Sequence, residues 1–83
     1  MGNAAQDNSD AGSSIVLGNG ASVANSVASN GIAIGTKAEV ANTNGGVAIG
    51  NGAKATNSNG GDGSPVAVGQ SAEATGTQAV AIG

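Results

Sequence analysis

The chain has 83 residues and a net charge of −3, and it contains no His, Cys, Arg or aromatic residue. Catalytic triads, Cys–His pairs and zinc sites therefore lack their usual members, so we expect no enzyme activity, metal or cofactor. Nucleic acid is not an expected partner either, because only two lysines could neutralise phosphates and no aromatic ring could stack on a base.

Residues 1–13 are polar and lack the repeat described below. They do not resemble a signal peptide, because no basic end is followed by an apolar stretch. We predict a polar leader here, disordered or a worn capping coil. No apolar run approaches the roughly 20 residues of a membrane helix, so no direct membrane contact is expected.

Residues 14–83 form a second region built on a repeated four-residue unit, [Val/Ile]-x-[Leu/Ile/Val]-Gly. Its closing glycines are 17, 15, 19 and 14 residues apart. A repeat this short cannot bury an apolar face alone, so its copies must stack on one another. The five copies are Ile15–Gly18, Ile32–Gly35, Val47–Gly50, Val66–Gly69 and Val80–Gly83.

A second short apolar stretch follows each of the first four units, with Ala three residues after the glycine. Both stretches alternate with period two, which is typical of strands, and helix is disfavoured at this glycine density. The sequence therefore predicts an all-β solenoid of about four to five two-strand coils. The longest insertion, Asn57–Pro65, is rich in Gly and is predicted to be a surface loop.

Alternation also predicts which side chains face inward. We place the large outer pair of each unit in the core, opposite the small residues of the second stretch. The middle residues then form a smooth apolar column that another copy of the chain should cover. The predicted core comprises Ile15, Leu17, Ile32, Ile34, Val40, Val47, Ile49, Val66, Val68, Val80 and Ile82, and the predicted interface between chains comprises Val16, Ala33, Ala48, Ala67 and Ala81.

The outward column of the second stretch is polar and alternates in sign. Ser22, Glu39, Lys54 and Glu73 occupy equivalent places in consecutive coils. Side chains on stacked strands lie about 4.8 Å apart, so Glu39, Lys54 and Glu73 should form an exposed charge column of weak pairs on a solvated face.

Three segments, "VAIGNGAKATN", "VAVGQSAEATGTQAVAIG" and "IAIGTKAEVAN", closely resemble the head repeats of trimeric autotransporter adhesins, the YadA-like heads of Gram-negative bacteria. The resemblance covers roughly residues 14–83. It implies a left-handed parallel β-roll, a homotrimer, and a place on the bacterial cell surface in a protein anchored in the outer membrane. The family's unit commonly follows Asn-Ser, which directly precedes none of the five units here, and no ligand-contact residue is carried over.

The function that the resemblance implies is attachment to host cells or extracellular matrix, with a matrix protein such as collagen as partner. Weak contacts repeated on three chains would gain strength from being linked. Two alternatives stay open at this point. The coils could be a structural spacer that projects another binding domain, or an ice- or polysaccharide-binding solenoid.

Overall fold

The structure is a computed structural model, and it describes residues 6–7, 14–24, 31–41, 43, 45–57 and 63–83. The described residues form ten strands of two or three residues each. They are β1 (Gln6–Asp7), β2 (Ile15–Leu17), β3 (Ser22–Ala24), β4 (Ile32–Ile34), β5 (Glu39–Ala41), β6 (Val47–Ile49), β7 (Lys54–Thr56), β8 (Val66–Val68), β9 (Glu73–Ala74) and β10 (Val80–Ile82).

The strands form two five-stranded sheets that share the chain alternately. Odd-numbered strands follow the order β1-β3-β5-β7-β9, and even-numbered strands follow the order β10-β8-β6-β4-β2. Every pairing is parallel and keeps equivalent residues of successive repeats side by side, such as Ala33 beside Ala48 and Val40 beside Ala55. The described residues contain no helix. The prediction of an all-β parallel solenoid is confirmed.

A four-residue turn of the form Gly-x-x-Ala connects each even strand to the next odd strand. The Ala N–H donates to the Gly carbonyl at 3.1 Å in the Gly35–Ala38 and Gly50–Ala53 turns. The third position has a left-handed φ in every copy, near +75° where it is glycine and +61° where it is Lys37 or Ser71. A positive φ at this position is typical of a type II turn, whose end Cα atoms lie within about 7 Å.

The closing glycines of the repeats stack into a backbone ladder. Gly18, Gly35, Gly50, Gly69 and Gly83 all have φ between 114° and 130°, a range that favours glycine. A Cβ added to Gly50 would lie 2.6 Å from the carbonyl oxygen of Gly69. The N–H of each glycine from Gly35 onward donates to the previous coil at 2.7–2.8 Å. Glycine is therefore required here both by conformation and by space.

The interior between the sheets is filled by small side chains. Ala33, Ala48 and Ala67 in the even strands are fully buried, and Val16 and Ala81 are half-buried and pack against the same cluster. Val40 is fully buried, as predicted. Within the described ranges, the buried apolar residues are Ala21, Val23, Ala33, Ala38, Val40, Ala48, Ala53, Ala55, Ala67, Ala72 and Ala74.

The predicted facing of the even strands was therefore wrong, although their alternation was right. The column Val16, Ala33, Ala48, Ala67 and Ala81 faces the interior of one chain and is not available to a second. The predicted core residues Ile15, Leu17, Val80 and Ile82 are 41–74% exposed. Ile32, Ile34, Val47, Ile49, Val66 and Val68 are half-buried and lie outside the core cluster.

The Gly-x-x-Ala turns give the physical reason for this reversal. Sheets separated by full side chains pack about 10 Å apart, whereas the ends of each turn approach within about 7 Å. A turn of this size leaves room mainly for Ala between the sheet edges that it joins, and the one larger member of the inward column, Val16, lies half-buried in the end strand β2. The larger Ile, Leu and Val side chains must then point outward.

Slightly larger residues fill the opposite side of the interior. A Cβ on Gly46 would lie 2.8 Å from Thr43 Cγ2 and 2.9 Å from Val40 Cγ1, so the valine packs against glycine backbone. Thr43 is fully buried, and its hydroxyl donates to the Gly63 carbonyl at 2.7 Å. This bond connects the coil to the far end of the longest insertion.

The insertion Asn57–Pro65 is a surface loop only in part. Both of its end residues, Asn57 and Pro65, are buried, and the Ser64 N–H donates to the Thr77 carbonyl at 2.8 Å. Residues 58–62 lie outside the described part of the chain.

One strand falls within the region predicted to be a polar leader or a worn capping coil. β1 (Gln6–Asp7) pairs in parallel with Ser22 and Val23 of β3, which is the pairing that a capping coil would make. Residues 1–5 and 8–13 lie outside the described part of the chain.

Candidate binding surfaces

One outer surface, which we name the apolar face, belongs to the even strands. Because the middle residue of each strand points inward, its two neighbours point outward and form two parallel ranks. The parallel register stacks each rank at about 4.8 Å per strand. The first rank is Ile15, Ile32, Val47, Val66 and Val80, and the second is Leu17, Ile34, Ile49, Val68 and Ile82.

The apolar face is unusual because a surface in contact with solvent is composed entirely of aliphatic side chains. All ten outward side chains are Ile, Leu or Val, and none carries a polar atom. The two strands at the ends are the most exposed, with Val80 at 65% and Ile82 at 74%. A contiguous exposed apolar surface marks a site of interaction with another molecule. Because these side chains have no hydroxyl groups, they can interact only by burying apolar surface and by fitting the shape of the partner.

The opposite surface, which we name the polar face, belongs to the odd strands. Its first column is Ser22, Glu39, Lys54 and Glu73, which pair in consecutive strands as predicted. Lys54 and Glu73 are exposed, and Ser22 and Glu39 are half-buried. The two faces therefore differ in chemistry although both consist of short strands in the same solenoid.

The charges on the polar face interact weakly. Lys54 Nζ lies 4.0 Å from Glu39 Oε1, and the two side chains are 52% and 39% exposed. Exposed pairs of this kind contribute between zero and about 1 kcal/mol. The charge column is best described as a solvated surface with a modest effect on stability.

We expect Lys54→Glu to lower the melting temperature slightly at low salt, because it places a carboxylate between Glu39 and Glu73 in the ladder. Like charges directly opposite each other on strands are destabilising by up to about 1 kcal/mol, which corresponds to at most about 4–8 °C in a domain of this size. Thermal unfolding followed by circular dichroism at low and high salt would measure it. Lys37→Glu, in an exposed turn, makes the same charge change away from this column. An unchanged or raised melting temperature for Lys54→Glu at low salt would contradict the pairing.

The second column of the polar face bears on ice binding. Thr56 pairs with Ala41, so the threonines of this face do not form a continuous ladder. On the even strands the two outward ranks are regular but carry no hydroxyl groups. Neither face presents the ordered hydroxyl array that the ice-binding alternative would require.

The rest of the described structure offers no enclosed site. No group of three or more His, Cys, Asp or Glu residues comes together among the described residues, and that part of the chain has no cavity. It also has no helix long and apolar enough to cross a membrane. No family model, curated protein or solved structure compared with this chain matches it.

Sequence reasoning located the charge column correctly but missed the apolar face. The spacing of the repeats predicted which residues stack, and the register bears this out for Glu39, Lys54 and Glu73. The signal that could have oriented the even strands was the Gly-x-x-Ala turn, which recurs four times in the sequence. Its length limits the sheet separation and so excludes Ile and Leu from the adjoining interior.

Proposed function

We propose that this chain is a non-enzymatic head segment of a trimeric bacterial surface adhesin, folded as a left-handed β-roll. In this proposal it acts at the cell surface and attaches the bacterium to host cells or extracellular matrix. The observation that carries the proposal is the apolar face, ten aliphatic side chains on one sheet, of which four are exposed and six are half-buried in the single chain.

Self-association through the apolar face is the first step of the proposal. Fully burying one Val, Leu or Ile side chain contributes about 1.5–3 kcal/mol relative to exposure, and the face offers two ranks of them. A second copy of the chain supplies a surface of the same chemistry. Three such sheets packed around a common axis would leave the three polar faces directed outward.

The polar faces are then the surfaces that meet a host ligand. They are shallow and repetitive, and each chain presents the same pattern of Ser22, Glu39, Lys54 and Glu73. Low affinity at each copy would be compensated by linkage, since joined sites gain avidity without new contacts. This attachment mode needs no cofactor and no reacting side chain.

The decisive experiment for self-association compares Ile49→Lys with the wild-type chain by sedimentation equilibrium. The wild type should show a complex of three times the 7.5 kDa chain mass. Ile49→Lys should be folded but monomeric, because a charge on the apolar face would have to be desolvated in the complex. Gln70→Lys, in an exposed turn, is the matched control and should remain trimeric. A folded wild type that stays monomeric at all concentrations would overturn the proposal.

Attachment itself is tested by binding of the wild-type chain to immobilised collagen, fibronectin and laminin. An adhesive head should bind at least one of them, and reversing Lys54 to Glu should alter that binding. A trimer that binds none of the three would favour the spacer function instead.

A further inference from the structure

The four Gly-x-x-Ala turns, at residues 18–21, 35–38, 50–53 and 69–72, stack on one another along one side of the solenoid. Each turn is hydrogen-bonded to the previous one through its third residue. The Lys37 N–H donates to the Asn19 carbonyl at 2.9 Å, and the Gly52 N–H donates to the Thr36 carbonyl at 2.8 Å. We name the resulting strip the turn surface. It consists of the second and third residues of each turn, which are Asn19, Gly20, Thr36, Lys37, Asn51, Gly52, Gln70 and Ser71.

The side chains of the turn surface are hydrogen-bonding groups without a carboxylate among them. All six are exposed, and they comprise three amides, two hydroxyls and one ammonium. Amides and hydroxyls can both donate and accept hydrogen bonds. None of the four turns contains Asp or Glu, although the whole chain has a net charge of −3. The turn surface is therefore suited to a polar ligand, and an anionic group placed on it would meet a lysine.

Lys37 has a backbone conformation that favours glycine. Its φ is +61°, whereas the same place holds glycine in the turns on either side, with φ of +76° at Gly20 and +75° at Gly52. A positive φ is uncommon outside glycine, and residues held in such conformations cluster at functional sites. Because glycine would satisfy this turn without strain, what lysine adds here is its side chain.

The Lys37 side chain is accessible to a ligand. The second lysine, Lys54, lies 4.0 Å from Glu39, whereas Lys37 forms no salt bridge with any residue that the structure describes. Thr36 and Lys37 are exposed although described turns lie on both sides of them. Their exposure therefore does not depend on where the chain begins or ends.

The backbone that carries these side chains is held by hydrogen bonds within each turn as well as between turns. The Ala38 N–H donates to the Gly35 carbonyl at 3.1 Å, and the Ala53 N–H donates to the Gly50 carbonyl at the same distance. The bonds between turns place equivalent side chains about 4.8 Å apart. The ordering of flexible segments weakens binding, and a ligand on the turn surface would have little backbone to order.

We infer that the turn surface binds a saccharide that carries a single carboxylate. The carboxylate would pair with the Lys37 ammonium, and sugar hydroxyls would form hydrogen bonds with Thr36 and with Asn19 or Asn51 in the neighbouring turns. Sugar hydroxyls both donate and accept, as do these side chains. A charge-assisted hydrogen bond is about twice as strong as a neutral one, so the carboxylate would contribute most of the selectivity.

The charges of the chain favour a ligand with one carboxylate over a polyanion. The turn surface has a single cation, and the net charge of −3 repels a ligand with many negative charges. A neutral saccharide would leave the Lys37 ammonium without a partner. One chain contains all the residues of this site, so the inference does not rest on the trimer proposed above or on the polar face.

The test measures binding of the full chain to sialyllactose, which has one carboxylate, and to lactose, which has none, by isothermal titration calorimetry at low salt. Wild type should bind sialyllactose at least about tenfold more tightly, the difference expected for one hydrogen bond between charged groups. Lys37→Gln should bind both sugars equally, because it removes the charge and keeps a hydrogen-bonding side chain. Lys54→Gln, which makes the same change on the polar face, should bind like wild type.

Lys37→Gly gives a second readout that a merely structural lysine would not. Glycine relieves the left-handed strain, so the melting temperature should equal or exceed that of wild type while the preference for sialyllactose is lost. The inference would be overturned if wild type bound both sugars equally or bound neither, or if both Lys37 variants kept the preference. An equal loss in Lys37→Gln and Lys54→Gln would also overturn it, because overall charge would then explain the binding. The mass of wild type by sedimentation tests the trimer separately.

Discussion

Gly50→Ala should strongly lower or abolish the melting transition of this chain. Gly50 has a φ of +130° and lies in the middle of the glycine ladder. An added Cβ would lie 2.6 Å from the Gly69 carbonyl oxygen and 2.7 Å from its carbon. Both atoms are backbone, so no side-chain rotation relieves the contact, and the two coils must separate.

Two contributions add to the loss of unfolding free energy. A side chain held in a left-handed conformation is strained by about 1–3 kcal/mol, and separation of the coils also breaks the ladder hydrogen bonds that flank Gly50. Small domains have only about 5–15 kcal/mol of total stability. We therefore expect a loss of at least about 3 kcal/mol, seen as a lost or strongly lowered melting transition by circular dichroism.

The matched control is Gly76→Ala. Gly76 has no left-handed φ, and its added Cβ would meet only Ala79 Cβ at 3.4 Å, an ordinary contact. Its melting temperature should change by the equivalent of about 0.5 kcal/mol or less. If both variants melted like wild type, the ladder would not be the close backbone contact described above.

Ala48→Lys should unfold the chain, whereas Ile49→Lys should leave it folded. Ala48 is fully buried, and its neighbours in the column, Ala33 and Ala67, are fully buried too. Lysine there adds a long side chain to an interior of alanines and buries a charge without a partner. Overpacking alone is destabilising by about 1–3 kcal/mol, and an unpaired buried charge by several kcal/mol more.

Circular dichroism and sedimentation together distinguish this result from a change in association. The adjacent Ile49 points outward on the apolar face, so the same substitution one residue later should affect only the oligomer. If Ala48→Lys instead gave a folded monomer and Ile49→Lys an unfolded chain, the even strands would have the opposite facing.

In the even strands, the sequence predicts which residues stack but not which way they face. Repeat spacing was enough to predict that Ala33, Ala48 and Ala67 form one column and that Glu39 stacks beside Lys54, because parallel coils bring equivalent residues together. Repeat spacing did not show whether this column points into the core or toward the surface, because alternation alone fits both directions equally well. The choice depends on the distance between the sheets, which the turn imposes.

The candidate site was harder to predict for the same reason. A row of Ile and Val is ordinarily assigned to a core. Here these side chains lie outside the core only because the space between the two sheets is too narrow to hold them. The buried Thr43 was also missed, because its hydrogen bond to Gly63 joins residues 20 positions apart. No local pattern in the sequence indicates that contact.

Each coil turns at two corners, and the two corners differ in how much the length of the connecting segment varies. Every connection from an even strand to the next odd strand has four residues, whereas the connections in the other direction have seven, seven, five, nine and five. The backbone ladder fixes the length of the connections at the first corner, so all differences in length between repeats occur at the second corner. Foreign peptides of several lengths could therefore be inserted between β7 and β8. The solenoid would then serve as a display scaffold, with one corner of constant length and one corner whose length can be changed.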